Sequence, residues 1–193
     1  MRTAESAMVK RLWAFLAGLA LCCAPAQAQT FGLSEVRVGV AAHDAYNGFL
    51  PFTSENYRFN GITDLSFDAI FRSPDLDAFR WIGSPRPRIG ATVSMQGLDS
   101  IAHAGLLWQV PLGDTFYVEA GFGAAINTGS LGETEMPSRR FGCRIGFYES
   151  FGVGANLSQS ATMTLTYEHT SNNGYCPYND GLSNIGLRIG FKF

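Results

Sequence analysis

His169 and Ser171 are the residues of this chain best placed for covalent chemistry. On a β-strand, residues two apart share a face and stand about 6.6–7 Å apart along it. An imidazole and a hydroxyl at that spacing can meet as general base and nucleophile, the pair that acyl transfer needs. The plainer alternative is that the strand has left an apolar environment at its outer end, where polar side chains are ordinary. The histidines give no metal site, because His43, His103 and His169 fall in separate segments without the spacing of a ligand set, and no organic cofactor is implied. Two of the four cysteines, Cys143 and Cys176, lie outside the N-terminal region that holds Cys22 and Cys23, and they are candidates for a disulfide in an oxidising compartment.

The segments that carry these residues alternate strictly. Ile185, Leu187, Ile189, Phe191 and Phe193 alternate with Gly186, Arg188, Gly190 and Lys192, which predicts a strand with one apolar and one polar face. The same period of two recurs upstream. Val36, Val38 and Val40 form the first apolar face, Phe67, Ala69 and Phe71 the second, and Ile89, Ala91, Val93 and Met95 the third. Ala102, Ala104, Leu106, Trp108 and Val110 make the fourth, and the even positions from Phe116 to Ile126 the fifth. The sixth is expected from Phe141, Cys143, Ile145 and Phe147, and the seventh from Met163, Leu165 and Tyr167, leading to His169 and Ser171. Counting the C-terminal strand, the pattern predicts an all-β fold, an eight-stranded antiparallel transmembrane β-barrel over residues 29–193.

A barrel of eight strands has room inside for side chains and no more. The inward positions include Arg37, Arg88, Arg144 and Arg188 with Glu35, Glu119 and Glu168, so the lumen is expected to be a plug of ion pairs rather than a channel. With both termini on the periplasmic side, the connections after the odd-numbered strands face outward, among them the polar stretch 44–60 and the turn-rich stretch 127–138. Cys143 and Cys176 then fall on that same outer side. Pro111-Leu112-Gly113-Asp114 is expected to make a tight turn at the other end.

The 193-residue chain opens with Lys10 and Arg11, an apolar run over 12–24, and Ala26-Gln27-Ala28, which together read as a cleaved signal peptide over residues 1–28. That run is shorter than the roughly 20 residues a helix needs to span a bilayer. No later stretch is long and apolar enough to do so either. Removing Arg2, Lys10, Arg11 and Glu5 with the leader takes the formal charge from −2 to −4, which argues against a nucleic-acid surface.

His169-Thr170-Ser171-Asn172, followed by Asn179-Asp180-Gly181-Leu182 and a glycine-rich aromatic strand ending in Phe193, resembles the lipid A 3-O-deacylase (PagL) family. The resemblance implies an eight-stranded outer-membrane barrel with its His and Ser on the outer wall near the membrane interface. It implies Ser171 as nucleophile, His169 as base, and Asn172 and Gly174 where the family builds its oxyanion hole. Asn173 stands where a small residue is expected, and Ser183 stands where the family places a Glu to orient the imidazole. Losing such an acid costs about 10⁴ in rate in serine proteases. Ser183 and Asn184 can orient the ring without stabilising its charge, Asp180 can curl back from the loop, and Glu168 points to the lumen by alternation.

The implied substrate is lipid A of lipopolysaccharide, hydrolysed at its 3-O-linked acyl chain in the bacterial outer membrane. A homodimer stays open as a further association. Two rival readings remain: a non-enzymatic small barrel acting through its external loops, favoured by the missing acid, and a different lipid A acyl-modifying barrel such as a palmitoyltransferase.

Overall fold

Strict alternation over eight segments needs a wall with two solvents, one on each face. The computed structural model describes residues 32–193 apart from 49, 52 and 53 and the side chain of 55; the leader expected over residues 1–28 lies outside the described residues. Eight strands follow one another: β1 (Leu33–Ala42), β2 (Ile62–Phe71), β3 (Arg86–Ser94), β4 (Ile101–Leu112), β5 (Phe116–Asn127), β6 (Ile145–Asn156), β7 (Ala161–Ser171) and β8 (Leu182–Lys192). A short α-helix, α1 (Asp77–Trp81), lies between β2 and β3, and one turn of 3-10 helix, Ser54–Asn56, between β1 and β2. Each strand pairs antiparallel with the next, and β8 returns to β1 with Glu35 opposite Lys192 and Ala42 opposite Ile185. Closure leaves no unpaired edge, the condition for a sheet to sit in hydrocarbon.

The outward positions are apolar and open. Phe67, Ile89, Val93, Phe122, Val153, Leu165, Leu187 and Phe191 are all exposed, so the wall carries a continuous apolar belt of the kind a lipid solvent accepts and water does not. The inward positions are polar and closed. Arg37 donates to Glu119 through both terminal nitrogens, at 2.6 and 3.0 Å, and to Glu35 at 2.8 Å. Arg188 pairs with Asp68 at 2.9 Å and Glu168 at 2.6 Å, while the Tyr148 hydroxyl also donates to Glu168. His103 meets Asp68 at 3.0 Å and stacks on Tyr148, whose other neighbour is the Arg88 guanidinium. Buried charges persist when paired and hydrogen-bonded, and this network fills the bore.

The sixth strand departs from the sequence pattern. It runs Ile145–Asn156 rather than 141–148. Gly142 turns the chain with φ of 68°, Cys143 lies in the loop, and Phe141, expected outward, is buried with Ile101, Ala125, Tyr148 and Leu182 as a stopper in the mouth of the bore. Arg144 is therefore not in the lumen. It is exposed on that loop, where it donates to the carbonyls of Asn127 and Gly129. The tight turn after β4 is also shorter than expected: Pro111 and Leu112 still pair with Tyr117 and Phe116, and the turn starts at Gly113.

The long connections β1–β2, β5–β6 and β7–β8 gather at the end of the barrel away from the N-terminus of β1 and the C-terminus of β8. They are stitched together there. The Ala45 N–H donates to the Ser183 carbonyl at 2.7 Å, Arg139 pairs with Asp44, and Arg140 holds Asp180 through its side chain and its backbone N–H. Cys143 and Cys176 are joined by a disulfide with Cα atoms 6.0 Å apart.

Candidate active site

β7 carries His169 and Ser171 to the loop end of the outer wall. Antiparallel pairing sets His169 opposite Ser183 on β8 and opposite Glu149 on β6, with Ser171 opposite Phe147. All five side chains fall on the outward face because β6, β7 and β8 keep their alternation to this level. Here the wall has a cavity of about 450 Å³, within the range of small-molecule sites, lined by His169, Ser171, Glu149, Phe122, Phe147 and the loop residues Gly48, Asn173, Asn179, Asp180 and Gly181. It joins two apolar rings from the membrane-facing wall to a polar rim. That combination suits a molecule with acyl chains and a sugar head.

His169 is 6 % exposed, although its position on the strand is outward. Two loops cover it. Gly181, at φ of 67°, lies so near that a Cβ there would stand 3.0 Å from His169 Cε1, so the loop closes on the imidazole only with glycine at this point. From the other side the β1–β2 loop brings the Gly48 carbonyl to 3.0 Å from Ser183 Oγ and 2.9 Å from the Tyr167 hydroxyl.

Ser183 takes the position at which an acid was looked for. Its Oγ lies 2.8 Å from His169 Nδ1 and 3.0 Å from the Tyr167 hydroxyl. In the arrangement that leaves Nε2 unprotonated as a base, Nδ1–H donates to Ser183 Oγ and Ser183 donates its own proton to the Gly48 carbonyl. This relay holds the ring without supplying charge. Asn184, the neighbouring candidate, is inward: its amide donates to Glu168 and accepts from the Asp44 N–H. Glu168 is in the lumen with Arg188 and Tyr148, and Asp180, though on the cavity rim, is clamped by Arg140.

The residues expected at the oxyanion hole are Asn172 and Gly174. The Asn172 side chain turns inward to brace the loop, donating to the carbonyls of Phe141 and Tyr178 and accepting from the Cys176 N–H, while its own N–H donates to Asn179 Oδ1 at 2.8 Å. Asn172 and Gly174 do not line the cavity; Asn173 and Asn179 do. With Oδ1 accepting from Asn172, the Asn179 amide is oriented and its Nδ2 is the donor left to face the cavity. Even residues of β7 point inward, so Asn172 was legible as an inward residue from the alternation that places Ser171 outward.

The alternation expected for strand six ends at Tyr148, one residue short of Glu149. Continued one step, it would have placed a carboxylate on the lipid-facing wall. Tyr167 and Gly48 gave no signal of a role in holding His169, since one reads as a wall residue and the other as a loop residue.

A family model described as lipid A 3-O-deacylase (PagL) matches residues 89–192. The chain is 29% identical to the lipid A deacylase PagL of Bordetella bronchiseptica over 183 residues, covering 91% of this chain and 92% of that protein. Among solved structures, the crystal structure of the outer membrane enzyme PagL is similar, with a TM-score of 0.54 at 16% identity over 83% of this chain and 100% of that one, a likeness of fold.

Proposed function

The chain belongs to the lipid A 3-O-deacylase (PagL) family, and from that membership we propose that it is a serine esterase of the outer membrane that removes the 3-O-linked acyl chain of lipid A. The observation that carries the mechanism is the meeting of Ser171 and His169 in one cavity on the lipid-side wall, with His169 Nδ1 held by Ser183. Ser171 Oγ attacks the ester carbonyl carbon as His169 Nε2 takes its proton. The carbonyl oxygen, now an oxyanion, accepts from the Asn179 amide, which Asn172 keeps in place. Collapse breaks the bond to the sugar oxygen, which leaves with the proton from Nε2. Water then repeats the sequence on the acyl-enzyme, releasing a 3-hydroxy fatty acid and freeing Ser171.

An outward-facing site suits a substrate that is itself an outer-leaflet lipid, since the acyl chains stay beside the wall while the ester reaches the polar rim. The test is mass spectrometry of lipid A from cells carrying the wild type or Ser171→Ala. Wild-type cells are expected to lose the mass of one 3-hydroxyacyl chain, and Ser171→Ala cells to keep it. Lipid A left intact by the wild type would overturn the reading in favour of a non-enzymatic barrel.

A further inference from the structure

Among the described residues, Glu149 is the one carboxylate at an outward position of any of the eight strands. Its place is specific. In the ladder it stands between Phe122 of β5 and His169 of β7, and His169 in turn stands opposite Ser183, so Glu149, His169 and Ser183 form one row across three strands on the outer face. Residues directly opposite in an antiparallel pair have Cβ atoms about 4.5–5.5 Å apart, close enough for their charges to couple strongly away from water. Glu149 also lines the cavity that holds His169 and Ser171, and its Oε2 is shut off from solvent without a hydrogen-bond partner.

A carboxylate in that condition is costly where it stands. Had its role been to meet headgroup water or a surface lysine, Oε2 would be wet or paired, as polar groups at a membrane rim are. Among the described residues, the other groups that border the imidazole carry no free negative charge: Ser183 and the Tyr167 hydroxyl are neutral partners, and Asp180 is bound by Arg140. Yet the chemistry places a positive charge on His169 each time it takes the Ser171 proton.

We propose that Glu149 is the charge partner of His169, doing from β6 what an acid on β8 would do, so that orientation and charge stabilisation are divided between Ser183 on one side of the imidazole and Glu149 on the other. Glu149 holds no proton in the cycle and makes no bond to substrate; it is a positioning residue that acts through the imidazolium. The inference rests on the esterase reading for its consequence in rate, but not for its effect on the ring itself.

The experiment uses the folded barrel in detergent with lipid A as substrate. Glu149→Gln keeps the shape and removes the charge, and is expected to lower kcat on the order of 10²-fold with KM unchanged. Glu149→Asp should restore part of that loss. In Glu149→Gln/Ser183→Glu the charge returns from the other strand, where the Tyr167 hydroxyl can donate to it, and kcat should recover at least tenfold over the single variant. A structural role for Glu149 would give the same gain from Ser183→Glu in the wild type as in the Glu149→Gln background, whereas a charge partner makes the gain larger in the latter. NMR titration of His169 in a Ser171→Ala background gives a readout independent of turnover: losing a neighbouring negative charge should move the midpoint of the ring to lower pH. Unchanged kcat in Glu149→Gln, a change in KM alone, a folded double variant no faster than the single, or an unmoved titration each overturns the proposal. If wild-type protein leaves lipid A intact while the titration still moves, the esterase reading fails and the Glu149–His169 pairing stands.

Discussion

Ser183 shows how far a hydroxyl can replace a carboxylate. It holds the imidazole, with Gly48 and Tyr167 holding it in turn, so the ring is kept in one orientation with His169 only 6 % exposed. Removing that hold by Ser183→Ala forfeits one buried hydrogen bond to the ring and is expected to lower kcat roughly tenfold, measured by release of 3-hydroxy fatty acid. Ser183→Glu should raise kcat, because a carboxylate at Nδ1 adds the charge that a hydroxyl lacks. The gain should be smaller in the wild type than in the Glu149→Gln background, where Glu149 no longer supplies a charge. Gly181→Ala is the steric counterpart: positive φ and a Cβ 3.0 Å from His169 Cε1 leave no room for a side chain, so activity should fall while the barrel still folds.

The β7–β8 connection is the element that converts a strand end into a site, since it carries Asn173, Asn179 and Gly181 into the cavity. Three devices hold it: the Cys143–Cys176 disulfide, the Asn172 side chain, and the clamp of Arg140 on Asp180. Reduction or Cys176→Ser should lower stability by about 2–4 kcal/mol and shift the temperature at which the folded gel band is lost. The clamp has a sign in pH. Hydrogen bonding from Arg140 holds the Asp180 carboxyl below the usual carboxylate range, so the clamp is fully present above the pH at which a free Asp ionises and is lost as pH falls through the depressed value. Limited proteolysis of the loop should therefore stay slow in the wild type to well below the ordinary Asp range. In Arg140→Ala cleavage should already be fast at neutral pH.

At the scale of the whole molecule, the lumen network does the work that a hydrophobic core does elsewhere. Arg37 links β1 to β5 across the bore through Glu119, and Arg188 links β8 to β2 and β7 through Asp68 and Glu168. Arg37→Ala would leave Glu119 without its cation and Glu35 with Arg86 alone, a loss of about 3–5 kcal/mol, visible as earlier loss of the folded band on heating. Replacing the pair together by well-packed apolar residues should cost much less. Because the same charges and the Phe141 stopper fill the interior, planar bilayers should show no steady conductance from pure protein. Large stable channels would contradict the packed bore.

Period-two alternation by itself determined the number of strands, the two faces of the wall and the outward placement of His169 and Ser171. It could do so because a pleated strand has a side-chain period of two and a barrel wall separates two solvents. The HxSN string and the terminal strand carried the family resemblance, and the charges at inward positions announced a filled lumen. Tertiary structure alone decided what faces what across strands. Register is set by turns and bulges, not by any one segment, so the row from Glu149 through His169 to Ser183 is invisible until β6, β7 and β8 are aligned. The start of β6 is hidden for a related reason: Phe141 and Cys143 continue the alternation, but Gly142 turns the backbone there and the bore offers Phe141 a better apolar contact than the wall does. The long loops follow no period at all, and it is their docking that buries His169 and brings Gly48, Asn179 and Gly181 to it.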